Sequence, residues 1–137
     1  MGRATLSSAV RRFLEVPRFA TLATLNRDGS PHLTAIWYEL SGEDVLFNTT
    51  TTRVKSRNIA RDPRVSLLVG DMATYVRIDG AARSVATGSR ALDDIRRLAI
   101  RYDGPAEAER LVREVWSKQE RVSYAISISH VYAYEIE

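Results

Sequence analysis

The 137-residue sequence contains no cysteine. Disulfides, thiolate nucleophiles and Cys-ligated zinc or iron–sulfur centres are therefore excluded by inventory. Histidine is nearly as scarce. His32 and His130 are the only imidazoles; they are far apart in the chain and lack HExxH spacing, which argues against a metal site. No nucleophile-elbow pattern supports a Ser-His-Asp hydrolase, and no Walker-type glycine loop supports a P-loop. No window approaches the roughly 18 consecutive apolar residues of a membrane span. The opening MGRATLSSAVRRFLEVP has charges where a signal peptide needs a continuous apolar stretch. The expectation is a soluble, cytoplasmic protein.

What is present fits one domain over residues 1–137, with a hydrophobic fraction of 45% that allows a real core. The net charge of +3 and a pI near 9.5 point to an anionic partner. Arginines are scattered rather than massed with interleaved aromatics, which favours a phosphorylated or carboxylated small molecule over nucleic acid.

Apolar residues at helical spacing, Leu6, Val10, Phe13 and Leu14, predict a helix over 6–16, which Pro17 ends. Strands follow over 19–25 and 31–40, joined by the Asn/Asp/Gly turn at 26–30. A third strand over 45–47 meets a run of four threonines, Thr49 to Thr52, which breaks the pattern. Residues 53–61 read as a short helix, stopped where Asp62 precedes Pro63. Strands over 65–69 and 74–85 come next, the second with a bulge or bend at Gly80. A helical pair over 89–102 and 106–119, divided by Asp103-Gly104-Pro105, precedes a closing strand over 123–136. The count is about six strands, and turns too short for crossovers make the sheet antiparallel. A barrel of about six short strands has little interior volume, so a large cofactor must sit outside it or at a subunit junction.

The segment NTTTTRVKSRN, residues 48–58, carries the chemistry. Hydroxyls and the cations Arg53, Lys55 and Arg57 converge on the start of a short helix, whose N–H groups are unpaired and whose dipole end is positive. Cations there oppose the dipole, and a bound anion, phosphate above all, would relieve the conflict. The plainer alternative is a helix capped by Thr51 or Thr52 with solvated cations, Arg57 pairing with a surface carboxylate. His32, beside a turn, fits simple exposure; His130 reads as structural, and Tyr132 and Tyr134 as packing residues.

The succession FATLATLNRDGSPHLTAIWYEL, DVLFNTTTTRVKSRNIARDPRVSLLV, YVRIDGAA and ISHVYAYEI resembles the pyridoxamine 5′-phosphate oxidase-like superfamily, and within it the group of F420-dependent oxidoreductases. The resemblance covers nearly the whole chain; residues 53–69 are its most specific part and the helical pair its least diagnostic. It implies a mainly β fold with minor α: a six-stranded antiparallel split β-barrel with a short inserted helix and peripheral helices. It also implies a homodimer with one cofactor in each of two grooves between subunits. It assigns the cofactor phosphate to Arg53 and Lys55, with Thr50 and Thr52 as hydroxyl donors. The flat ring lies along His32, Thr34, Ala35, Ile36 and Trp37, and Tyr75 of the partner subunit closes the groove.

Of Ile36 and Trp37, on opposite faces of one strand, one should belong to the core. The chain ends at Glu137, sooner than vitamin B6 oxidases do, which argues against that activity. The expected cofactor is coenzyme F420, with FMN as the alternative; Arg53, Arg57 and Arg77 would suit its polyanionic tail. The reaction implied is hydride transfer between F420 and an electron-poor organic substrate, with no assigned catalytic side chain; solvent, Tyr75 or His32 could supply a proton. A non-catalytic flavin- or haem-binding split barrel is the remaining alternative, and the scarcity of histidine argues against haem.

Overall fold

Alternating burial along the chain builds one curved sheet. The strands are β1 (Ala20–Leu25), β2 (Pro31–Ile36), β3 (Glu39–Ser41), β4 (Asp44–Thr50), β5 (Arg64–Gly70), β6 (Tyr75–Thr87) and β7 (Arg121–Tyr134). The computed structural model describes residues 3–136; Met1, Gly2 and Glu137 lie outside the described residues. All pairings are antiparallel, in the order β2-β1-β5-β6-β7-β4-β3. Leu22, Phe47, Leu67, Val76, Ile78 and Ile126 fill the interior. The two outermost strands, β2 and β3, are joined by only Trp37 and Tyr38. The sheet therefore has to roll until its edges approach each other, which is the split-barrel arrangement.

The sheet has seven strands, not the six expected, because the segment read as one strand over 31–40 is two. Tyr38 causes the break. Its ring is fully buried, and its hydroxyl donates to the carbonyls of Leu14 at 2.9 Å and Val16 at 3.1 Å, turning the chain from one sheet edge to the other. Burial pushes the Tyr38 phenol up to about 12, with Tyr102 adding to the effect. Tyr38→Phe leaves these carbonyls short of a donor and is expected to cost about 1–3 kcal/mol. A urea titration should show a lower midpoint at unchanged slope; an unchanged midpoint would remove Tyr38 from this role.

Helix α1 (Ser8–Glu15) starts at Ser7, whose Oγ accepts from the Val10 N–H at 3.2 Å. Its C-terminal carbonyls are met by Arg101, which donates to Glu15 O at 2.8 Å and Leu14 O at 3.1 Å and also holds the β2–β3 junction through Tyr38 O at 3.0 Å. Helix α2 (Val54–Arg61) follows β4, which runs through Thr49 and Thr50 rather than stopping at the threonines. Helices α3 (Gly88–Asp103) and α4 (Pro105–Glu114) meet at Gly104, whose φ of 91° suits glycine. The second helix is shorter than its pattern predicts. Val115, at φ −126° and ψ −62°, leaves helical geometry, and a 3-10 turn over Trp116–Lys118 swings Trp116 against Trp37. Among the described residues no helix is long and apolar enough to cross a membrane.

Candidate functional site

Where the rolled edges come together, a cavity of about 600 Å³ opens, within the usual range for a cofactor or substrate site. One wall is the end of β2 with Ala35, Ile36 and Trp37; the facing wall is α3 with Ile95, Leu98 and Tyr102, backed by Trp116. Trp37 stacks on Tyr102 with ring centroids 5.3 Å apart and meets Trp116 edge-on at 6.2 Å. Phe19 stands at the lining while 86% exposed, so this side is open. The other end is polar: Asn48 and Thr49 of β4 lie with Arg53, Lys55 and Arg121.

Among the described residues none of these cations pairs with a carboxylate. Lys55 sits on the inner face of α2 at 8% exposure, and among the described residues it makes neither a hydrogen bond nor an ion pair. Burial first, then Arg53 and Arg121, holds its ammonium below the usual lysine range. Burial and Arg53 likewise bring Arg121 down to about 10. Among the described residues the one carboxylate on the lining, Asp103, lies at the end of α3 and pairs with none of them. Helix α2 cannot turn Lys55 away, because Ser56 Oγ donates to Thr50 O at 2.7 Å and Asn58 Nδ2 to Thr24 Oγ1 and Asn26 Oδ1, both at 3.0 Å. A cation partly withdrawn from water, beside like charges and with no counter-ion among the described residues, carries a cost that a bound anion removes.

Of the residues singled out in the sequence, Ala35, Ile36, Trp37, Arg53 and Lys55 line this cavity together. His32 and Thr34 do not. Strand residues alternate between faces, so these two point inward while Leu33 and Ala35 point out; Thr34 Oγ1 is buried and has no hydrogen-bond partner among the described residues. Ile36 also packs on the core, whereas Trp37 joins the smaller cluster around Leu46, Ile95 and Leu98. No threonine caps α2: the Thr50 and Thr52 hydroxyls lie 3.2 Å apart, and Thr51 donates to Glu120 at 3.0 Å. Arg57 meets neither a carboxylate nor the cavity but donates to Thr52 O at 2.9 Å. Tyr75 stacks on Tyr134, 5.2 Å between centroids, on the outer face of β6 and β7 and away from this lining. Arg77 pairs there with Asp79 at 3.4 Å.

Sequence reasoning missed Arg121, Asn48, Tyr102 and Trp116. Arg121 reaches the site because it pairs across the sheet with Thr50, a long-range register that no local pattern announces. The threonine run was the available signal: whatever strand pairs with it must bring its own side chains to the cation cluster.

A family model described as pyridoxamine 5′-phosphate oxidase matches residues 6–134. The chain belongs to this family. Among solved structures it is similar to the conserved hypothetical protein Rv2991 from Mycobacterium tuberculosis, at 31% identity over 98% of this chain and 88% of that one, with a TM-score of 0.77. It is also similar to a protein described as an F420 reductase, at 26% identity over 93% of this chain and 98% of that one, with a TM-score of 0.72. A haem-binding protein from Mycobacterium smegmatis shares the family's fold at 20% identity, over 96% of this chain and 55% of that one, with a TM-score of 0.66.

Proposed function

We propose that this chain is an oxidoreductase subunit that holds coenzyme F420 in the cavity and passes a hydride between it and an electron-poor organic substrate. The observation that carries the reading is Lys55, a buried lysine with no counter-ion among the described residues, set beside Arg53 and Arg121 in a cavity that is walled towards Trp37 and Leu98 by flat apolar surface. This donor set fits a phosphate joined to a flat ring. Arg53, Lys55 and Arg121 would hold the phosphate, and Ala35, Ile36 and Trp37 would border the ring. The likeness to an F420 reductase favours F420 over FMN. Neither histidine lies on the lining, which speaks against haem.

When bound, the deazaflavin supplies the hydride chemistry. The chain's own work is to fix the phosphate, orient the ring and keep water out. The Tyr102 hydroxyl donates to Arg18 O at 3.0 Å, so it is engaged and not poised as an acid. His32 and Tyr75 lie off this lining, which leaves solvent as the proton source within one protomer.

A second copy of the chain completes the site in this reading. The outer sheet face exposes Leu33, 62% accessible, together with Leu68, Tyr132 and Tyr134. Strand pairing places Thr21 between Ala35 and Leu68, and Arg77 between Leu68 and Tyr132, so these residues form one continuous surface. An apolar surface of this kind marks an interface. Ala35, on the same face of β2 as Leu33, also lies on the cavity rim, so a partner laid here would border the cavity and could bring Tyr75 to it.

The test is turnover: purified protein, reduced F420 and an enone or quinone acceptor, without oxygen. Acceptor-dependent F420 oxidation above the buffer rate, lost in Lys55→Glu, is expected. No turnover with any acceptor, together with tight FMN binding, would move the protein to the flavin enzymes.

A further inference from the structure

We infer that Asn48 is a positioning residue that aims Arg121 into the cavity as the third cation of an anion cradle, and that the cradle is thereby matched to a doubly charged ligand head. The inference rests on the cavity's being an anion site, and it adds how the site is set and what charge it takes.

The Asn48 amide is committed on every side. Its Nδ2 donates to Ala91 O and to Ser123 Oγ, each at 2.9 Å, which leaves Oδ1 to accept from Arg121 Nε, also at 2.9 Å. The orientation is fixed by chemistry, since a flipped amide would set its oxygen against the Ala91 carbonyl and its nitrogen against a guanidinium. Ser123 Oγ is itself anchored, donating to Asp94 Oδ2 at 2.6 Å, so the arrangement ties β4, β7 and α3 to one arginine. Arg121 Nη1 donates to Gln119 at 2.8 Å, and the guanidinium lies over the Trp116 ring at 5.7 Å. Nε and Nη1 are thus spoken for, while Nη2 makes no hydrogen bond among the described residues, on a side chain that lines the cavity.

Charge balance gives the ligand class. Arg53, Lys55 and Arg121 share the polar end of the cavity, and a singly charged head would leave two of their three positive charges uncompensated. A doubly charged head neutralises more of it and offers enough acceptor oxygens for all of them. A phosphate monoester meets this requirement alone; a phosphodiester meets it with a neighbouring carboxylate.

The test uses the full-length protein and the quenching of its tryptophan fluorescence. FMN is compared with riboflavin, and F420 with its phosphate-free ring alcohol, so that each affinity ratio isolates the anionic part. In the wild type the anionic ligand should bind at least about 10-fold tighter than its bare ring. Arg121→Gln should reduce that ratio about 10-fold, and Arg121→Lys should retain most of it. Asn48→Ala should lower the ratio in the wild-type background and leave it unchanged in the Arg121→Gln background, because a positioning residue acts only through what it positions. A larger effect on the FMN pair assigns the monoester, and a larger effect on the F420 pair the diester with its carboxylate; either supports the inference. Equal losses from Asn48→Ala in both backgrounds would make Asn48 merely structural and overturn it, as would an Arg121→Gln ratio equal to wild type. A wild-type ratio near unity would instead remove the anion site, and this inference with it.

Discussion

Replacing Lys55 by methionine should raise the melting temperature of the ligand-free protein and at the same time reduce the stabilisation it gains from cofactor. The two effects have one cause. A lysine withdrawn from most of its water and set beside two like charges costs folding free energy even though its ammonium faces the cavity, and an apolar side chain of similar length removes that cost, for a gain of about 1 kcal/mol. The same ammonium is what the ligand's anion pairs with, so Lys55→Glu should weaken cofactor binding by about 1.5–3 kcal/mol, or roughly 10- to 150-fold. The pH dependence has a definite sign. Burial holds the Lys55 pKa below its ordinary 10.5, so the folded chain gives up this proton before the unfolded chain does. Wherever the unfolded state binds more protons, stability rises with pH. The ligand-free wild type should therefore gain stability from this group as pH rises from the lowered folded value to 10.5, bear the full penalty below that window, and lose this slope in Lys55→Met. Thermal denaturation across alkaline pH, with and without ligand, measures all of this. A methionine variant less stable than wild type in the absence of ligand would mean that Lys55 has a partner in the native state.

Gly80→Ala should be strongly destabilising although it lies outside the cavity. Gly80 lies at the irregularity where β6 slips register against β7, and a Cβ there would run into the Ser127 backbone carbonyl and come within 3.1 Å of Ile126 Cγ2. The obstacle is the backbone of a strand paired on both sides, which cannot step aside. The cost should be about 3 kcal/mol, the upper end for overpacking. The effect should reach the site as well, because β6 beyond the bulge leads directly into α3, the cavity wall. Urea unfolding and ligand affinity should fall together; a wild-type urea midpoint would show that the bulge accommodates a methyl group.

Local chemistry made part of this legible in advance. Pro17, the turn at 26–30, Asp62-Pro63 and Gly104-Pro105 each punctuate the chain through backbone rules, and the elements that start or stop at these points do so within a residue or two of where those rules put them. Gly80 announced a bulge because a glycine inside an alternating strand has few other uses. The cation-rich start of α2 was visible for a similar reason, since those charges oppose the helix dipole unless something answers them. What stayed hidden depends on long-range geometry. Nothing local separates β2 from β3; the break needs a buried Tyr38 reaching the end of α1. Arg121 looks like any arginine at a strand start until β7 pairs with β4 and sets it opposite Thr50. The helical pair, the least distinctive stretch of sequence, supplies Leu98 and Tyr102 to the wall, and Trp116 follows it, because α3 packs across the rolled sheet.

The most direct test of the cavity as a deazaflavin site uses a property of the chain itself. Its two tryptophans, Trp37 and Trp116, both line the cavity, so the intrinsic tryptophan fluorescence reports on that space. The purified protein should be titrated with F420 and, in parallel, with FMN, at moderate salt. Saturable quenching by F420 at low micromolar concentration or below, with FMN markedly weaker, is the predicted result. Fluorescence unchanged by both ligands would contradict it, leaving the fold in place without the proposed function.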